Sequence, residues 1–277
     1  MKGVYEEIIG RPVLLNRNQI QIEGRVYGFT GFRWVAKRFN THDLNEINRR
    51  LSQKDWKVLI DGGIVLNVVS TIHRQVPLED IIREFLVSLR ERGLRVYKEK
   101  RMPFKTHIIY KAILDLPYQA RGKDIYFGFV LDTGNNLGYR AVKVLPMFTV
   151  KECMNDYIVA EKFRVIHEIT KEGIHPFDLV KESIKAALDY FPAIKRALEM
   201  AMNESIPVEQ IISYLNTKRM PKKLKEVLIA RVKGLKELNL FEFTQMLTTR
   251  AKEYGKTTRL SLEREAGRIL MVRRVGD

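Results

Sequence analysis

IYFGFVLDTGNNLGYRAVKVLPMFTV, residues 125–150, decides the fold class of this chain. Its two arms are rich in β-branched and aromatic residues. Between them, Asp132-Thr133-Gly134-Asn135-Asn136 supplies the residue types that tight turns use, so the stretch predicts a β-hairpin. After Val150 the apolar residues switch to helical spacing and keep it to the end of the chain. The expectation is an α+β protein: an N-terminal mixed antiparallel β-sheet with helices over residues 1–150, followed by a C-terminal helical bundle over residues 151–277.

Working outward towards the N-terminus, Arg95–Lys100 and Thr106–Leu114 read as further strands, and Gln19–Phe32 and Trp56–Ile72 as glycine-broken hairpins. Leu44, Ile47 and Leu51 recur at helical spacing behind Asn40 and Thr41, either of which suits a cap. A second helix is predicted from Pro77, with Leu78, Ile81, Ile82, Phe85, Leu86 and Leu89 on one face and Gly93 closing it. Towards the C-terminus, Pro176, Pro192, Pro207 and Pro221 each precede an apolar-periodic stretch. Each is expected to open a short helix.

Charge is the feature most informative about partners. The chain carries 49 Lys and Arg against 33 Asp and Glu, a formal net charge of +16. By segment the balance is +10 over residues 1–150 (25 against 15), −3 over 151–215 (8 against 11) and +9 over 216–277 (16 against 7). Cations gathered in this way attract polyphosphates and release their condensed counterions on contact. With 45% apolar residues the chain can bury a sizeable core, which excludes an intrinsically disordered protein. Cys153 is the one cysteine, so neither an internal disulfide nor a cysteine-based zinc site can form, and a reducing cytoplasm is expected. No apolar run approaches the length of a membrane span, and Glu6 and Glu7 stand where a signal peptide needs basic then apolar residues. The abundance of charged and β-branched residues suits a thermophile.

Catalytic motifs are sparse. Asp132-Thr133-Gly134 after Phe129-Val130-Leu131 has the outline of an aspartic-protease loop, and Asp61-Gly62-Gly63 is a second acidic turn. Two hairpin turns are the favoured reading over a shared metal or proton. The five histidines lack metal-ligand spacing, and there is no phosphate-binding glycine loop, so neither cofactor nor metal is expected. Three basic clusters carry the binding argument. Arg33-Trp34-Val35-Ala36-Lys37-Arg38-Phe39 interleaves cations with aromatics, an arrangement that neutralises phosphates while stacking bases. Lys98, Lys100, Arg101 and Lys105 form the second cluster. Lys218, Arg219, Lys222 and Lys223, with Lys225, Arg231 and Lys233, surround a helix start and form the third.

Asp132-Thr133-Gly134, then Arg140-Ala141-Val142-Lys143-Val144, then Cys153-Met154-Asn155 and the downstream His167 resemble the succession of turn, strand, Cys-x-Asn and His in the phage- and plasmid-like proteins of domain-of-unknown-function family 932. The similarity covers about 40 residues, and the chain differs in Asn135-Asn136 and in Asp156, where that family often has glycine. The resemblance implies a gene carried by viruses, plasmids or their integrated remnants, without an established activity. It also implies that Cys153, Asn155 and His167 either fix a hairpin–helix junction or take part in chemistry. The expected function is a nucleic-acid-binding protein of such a mobile element, handling single-stranded or recombining DNA in the cytoplasm without catalysis. Its partner is DNA, no membrane is involved, and a homo-oligomer is compatible with the sequence. Two rivals stand beside it. One is a metal-dependent nuclease using Asp61, Asp132 and Asp124 with Lys143 as base; the other is a virion structural or genome-packaging protein.

Overall fold

The computed structural model describes residues 5–71, 73, 75–104, 107–134, 142–159 and 176–272. Its elements form the expected α+β protein, organised around two principal sheets. The first sheet contains β1 (Glu6–Gly10), β2 (Val13–Asn16), β3 (Gln19–Ile22), β4 (Arg25–Phe29), β5 (Trp56–Asp61) and β6 (Ile64–Val69), in the order β1-β5-β6-β4-β3-β2. Between β4 and β5 the chain forms α1 (Phe32–Phe39) and α2 (Leu44–Leu51), and β6 returns parallel to β4. Gly62 and Gly63 join β5 to β6 with φ of +56° and +77°, the pair of positive values that a type I′ connection requires. Asp61-Gly62-Gly63 is therefore a hairpin turn. The cap of α2 is Asp43, not Asn40 or Thr41: its carboxylate accepts from the Asn45 amide at 2.9 Å. Asn40 instead closes α1 in the left-handed conformation. Val35, Ala36, Ile47 and Leu51 on the two helices bury against Ile20, Phe29, Trp56 and Val65 of the sheet.

After α3 (Leu78–Glu91), which begins one residue beyond Pro77, the chain forms a five-stranded antiparallel meander. Its strands are β7 (Val96–Pro103), β8 (His107–Ala120), β9 (Lys123–Gly134), β10 (Lys143–Val150) and β11 (Asn155–Ile158), in the order β11-β10-β9-β8-β7. Asp132, Thr133 and Gly134 belong to β9 itself, with Asp132 paired to Ile109 and Lys143. They are strand residues and not the turn, and Asn135–Ala141 lies outside the described residues. β11 was expected to be helical. It is a strand because Tyr157 and Ile158 pair with Phe148 and Met147, and the Tyr157 and Phe148 rings stack 4.4 Å apart.

The remaining elements are α4 (Pro176–Asn203), β12 (Ser205–Pro207), α5 (Val208–Thr217), α6 (Lys222–Val232), β13 (Glu237–Asn239), α7 (Leu240–Ala251) and α8 (Lys256–Val272). Pro207 and Pro221 stand immediately before α5 and α6, as helix-opening residues do. Pro192 departs from expectation and lies inside α4. The ring removes one helical hydrogen bond there, but the neighbouring Phe191 stacks on Phe127 at 4.8 Å and Phe129 at 5.4 Å, and packing of that size outweighs the local preference.

Among the described residues, those after residue 150 do not form a core of their own. Val180, Phe191, Tyr214 and Phe243 of the helices share one continuous core with Phe85 of α3 and Phe127, Phe129 and Phe148 of the second sheet. The expected boundary near residue 150 thus falls inside this core, because an apolar sheet face must be covered and the later helices cover it. The change from one core to the other lies instead between Val68 and Val76.

The opposite face of the second sheet is concave. Laid flat, four inter-strand steps would put the edge strands about 19 Å apart. Yet Lys100 on β7 reaches Asp156 on β11, with Nζ 3.0 Å from both carboxylate oxygens. The sheet is therefore curled towards a barrel. Ile109, Val130, Leu145, Met147 and Ile158 line its inside, and α8 contributes Leu260 to the same cluster. Gly267 lets α8 approach β11, since a Cβ there would collide with the Ile158 carbonyl oxygen.

Candidate nucleic-acid interface

Inside the curled sheet lies a cluster of charges, of which Lys100 alone is among the residues expected from the sequence to bind nucleic acid. Lys111 on β8 is fully buried and donates to Asp156 at 2.8 Å and to Glu263 on α8 at 2.6 Å. Asp156 also accepts from Thr149 at 2.9 Å, and Arg259 donates to Glu263 at 2.9 Å. Burial pushes the Asp156 carboxyl up, but Lys111 and Lys100 pull it further down, to about 2. Its oxygens are occupied by donors and it stays ionised, so it lacks both the free lone pair and the near-neutral pKa that a general base needs. The cluster acts as a clamp joining β7, β8, β11 and α8. Its one legible signal was a lysine in the middle of the apolar run Ile108–Leu114.

The first basic cluster lies on α1. Arg33 and Lys37 are exposed, whereas Trp34 is half-buried. Arg38 is also exposed, and it donates to the Val68 carbonyl with its guanidinium 5.9 Å from the Trp56 ring centroid. Phe39 packs edge-on against Trp56 at 5.6 Å. Phe39 is thus engaged in the first core, and the exposed cations of this cluster are Arg33, Lys37 and Arg38.

The second cluster divides. Lys98 on β7 is exposed, while Lys100 belongs to the interior clamp and is not a surface phosphate ligand. Arg101 lies 3.5 Å from Glu79 of α3 and over the Tyr110 ring at 5.4 Å. Lys105 lies outside the described residues.

The third cluster is the densest. Residues 216–236 carry eight Lys and Arg against one acidic residue, Glu226. Lys218 rests over the Tyr214 ring at 5.3 Å and 3.8 Å from Glu265. Arg219, Lys222 and Lys223 are exposed, and the Lys222 side chain retains 92% of its accessible area with only Glu226 nearby at 3.9 Å. Helix α1 packs chiefly on α2 and β6, and α6 on α5 and α7.

The carboxylates of the nuclease alternative are divided between the two sheets. Asp61 ends a strand of the first sheet and Asp132 lies within the second, held 3.3 Å from Arg264. Asp124 and Asp132 are eight residues apart on one strand, about 26 Å at the extended rise. Two-metal hydrolysis needs carboxylates converging within a few ångströms, and Asp124 and Asp132 are too far apart along their strand for that. Among the described residues, no group of three or more His, Cys, Asp or Glu side chains is placed to hold a metal. Among those same residues, no helix is long and apolar enough to cross a membrane.

Of the residues that carried the family resemblance, Asn155 is buried and donates to Thr249 at 2.9 Å and to the Gln245 carbonyl at 3.4 Å, tying the β10–β11 turn to α7. Cys153 sits half-buried in that turn, and His167 lies outside the described residues. The chain matches no protein-family model, and no curated protein or solved structure is significantly similar to it.

Proposed function

We propose that this protein binds nucleic acid through its phosphates, without catalysing a reaction on it. The observation that carries the reading is the outward-facing excess of cations: Arg33 and Lys37 on α1, and Arg219, Lys222 and Lys223 around α6, are exposed. The interior lysines, by contrast, are matched: Lys57 by Glu7, and Lys100 and Lys111 by Asp156 and Glu263. Exposed cations that carry no structural duty supply affinity for a polyanion by displacing its counterions. The separation of Asp124 and Asp132 along one strand speaks against their sharing a metal. A mobile genetic element is the setting the family resemblance implies, and it remains part of this proposal.

The test is fluorescence anisotropy with labelled DNA over a salt series. For about six phosphate contacts, log affinity falls against log salt with a slope near −5 on duplex and near −4 on single strands. Absence of binding at low salt, or a slope near zero, refutes the reading.

A further inference from the structure

The C-terminal elements follow an order that charge alone does not explain. Two helices, α5 of 10 residues and α6 of 11, are joined by the four residues Lys218–Pro221, the connection length of a helix-turn-helix. The long α4 precedes them, and a two-stranded ladder brackets them. Ser205, Ile206 and Pro207 of β12 pair with Asn239, Leu238 and Glu237 of β13. The sequence helix, strand, helix, turn, helix, strand clamps the two ends of the α5–α6 unit together, and the Val208 amide donates to Lys236 to extend the clamp.

Within this unit α6 has two unlike faces. Leu224, Leu228 and Val232, spaced four apart, are buried. Lys222, Lys223, Glu226, Ala230 and Arg231 are exposed. An 11-residue helix is about 17 Å long and, with small or flexible side chains outward, fits a major groove about 12 Å wide. Beyond α6, Lys233 and Lys236 lie on an exposed connection to β13. Residues 216–236 contain no Phe, Tyr or Trp. A single-strand site relies on aromatic faces for base stacking, so a cationic surface without them is suited to a duplex, whose bases are already stacked.

We propose that α5–α6 is a helix-turn-helix that docks α6 against the major groove of duplex DNA, with Arg219, Lys222, Lys223 and Lys233 on the phosphates. This rests on the nucleic-acid reading above and narrows it to a substrate and a face.

The experiment compares the full-length wild type, K222A/K223A, A230F and R33A/K37A by anisotropy, using a random-sequence duplex of about 25 base pairs and the corresponding single strand. Circular dichroism checks that each variant is folded, and all substituted side chains are exposed. The wild type is expected to bind the duplex more tightly than the single strand. K222A/K223A should lower the magnitude of the duplex salt slope by about 1.8, as expected for two lost phosphate contacts. A230F keeps every charge but obstructs the groove-facing surface, and should weaken duplex binding at least about tenfold, or 1.4 kcal/mol. Wild-type binding that favours the single strand, or that is unmoved by K222A/K223A and A230F, overturns the helix-turn-helix while leaving nucleic-acid binding in place. Loss confined to R33A/K37A would do the same and move the interface to α1. Failure of the wild type to bind either DNA at low salt removes the parent reading as well.

Discussion

Replacing Asp156 by Asn should destabilise the second core more than any surface charge change. The carboxylate takes hydrogen bonds from Lys100, Lys111 and Thr149 at 2.8–3.0 Å, and Lys111 has no accessible surface. An amide of the same shape puts an NH2 donor where an oxygen faced an ammonium, and leaves Lys111 to Glu263 alone. Breaking one partner of a buried ion pair costs about 3–5 kcal/mol. The ionisation of Asp156 gives an independent figure. With the folded carboxyl at about 2 and the unfolded one at about 3.9, the difference corresponds to about 2.6 kcal/mol. The folded value is depressed, so this stabilisation is present above about pH 4 and is lost as pH falls towards about 2. For a chain of this size the substitution should lower the melting temperature by about 6–20 °C at neutral pH. The assay is thermal and urea unfolding of wild type and Asp156→Asn between pH 7 and pH 2, with the exposed Glu226→Gln as the control that should not move. The gap between wild type and Asp156→Asn should narrow as the solution is acidified. A gap below about 1 kcal/mol at pH 7, or one that does not shrink in acid, would refute the clamp.

Gly267→Ala forces a methyl against the Ile158 carbonyl and should cost about 1–3 kcal/mol, with faster amide exchange in β11 as the local readout. Phe191→Ala removes a ring stacked on Phe127 and Phe129 and should cost about 3–5 kcal/mol in urea unfolding, despite leaving Pro192 in place. Asn155→Ala frees the β10–β11 turn from α7 and should cost about 1–3 kcal/mol; an unchanged midpoint would mean that the bond to Thr249 is not a tether.

What could be read in the sequence was local. The 3.6-residue period of Leu78–Leu89 and the paired apolar arms of Ile125–Val150 needed no distant partner to be recognised, and α3, β9 and β10 stand there. The failures share the opposite property. β11 is four residues long and becomes a strand only because Met147 and Phe148 lie beside it. Pro192 is accommodated by contacts made with strands more than 60 residues earlier. Lys111 meets Asp156 across 45 residues and Glu263 across 152, so only the incongruous lysine was visible, never its partners. The basic segment 216–236 was legible as charge, but its bracketing strands are three residues each, too short for any alternation to show.

The placement of these charges bears on how the net charge should be understood. A sum of +16 is what remains when each acid has been set against one base, and it does not say which bases remain. Burial decides that. An unmatched charge in the interior carries a penalty of several kcal/mol, so internal cations must come with partners. The clamp obeys this: Lys111 is buried between two carboxylates, while Lys100 and Arg259, at its rim, keep 23% and 26% of their side-chain surface in water. The excess is therefore displaced to the surface by the same physics that keeps the core neutral. Residues 216–236, with a balance of +7, hold seven of the sixteen surplus charges in 21 residues. At 0.1 M salt a charge is felt over about 10 Å, less than the length of α6, so a polyanion responds to this local density and not to the total. Removing two lysines from α6 should consequently weaken binding far more than removing two from a sparsely charged face, although both variants have the same net charge.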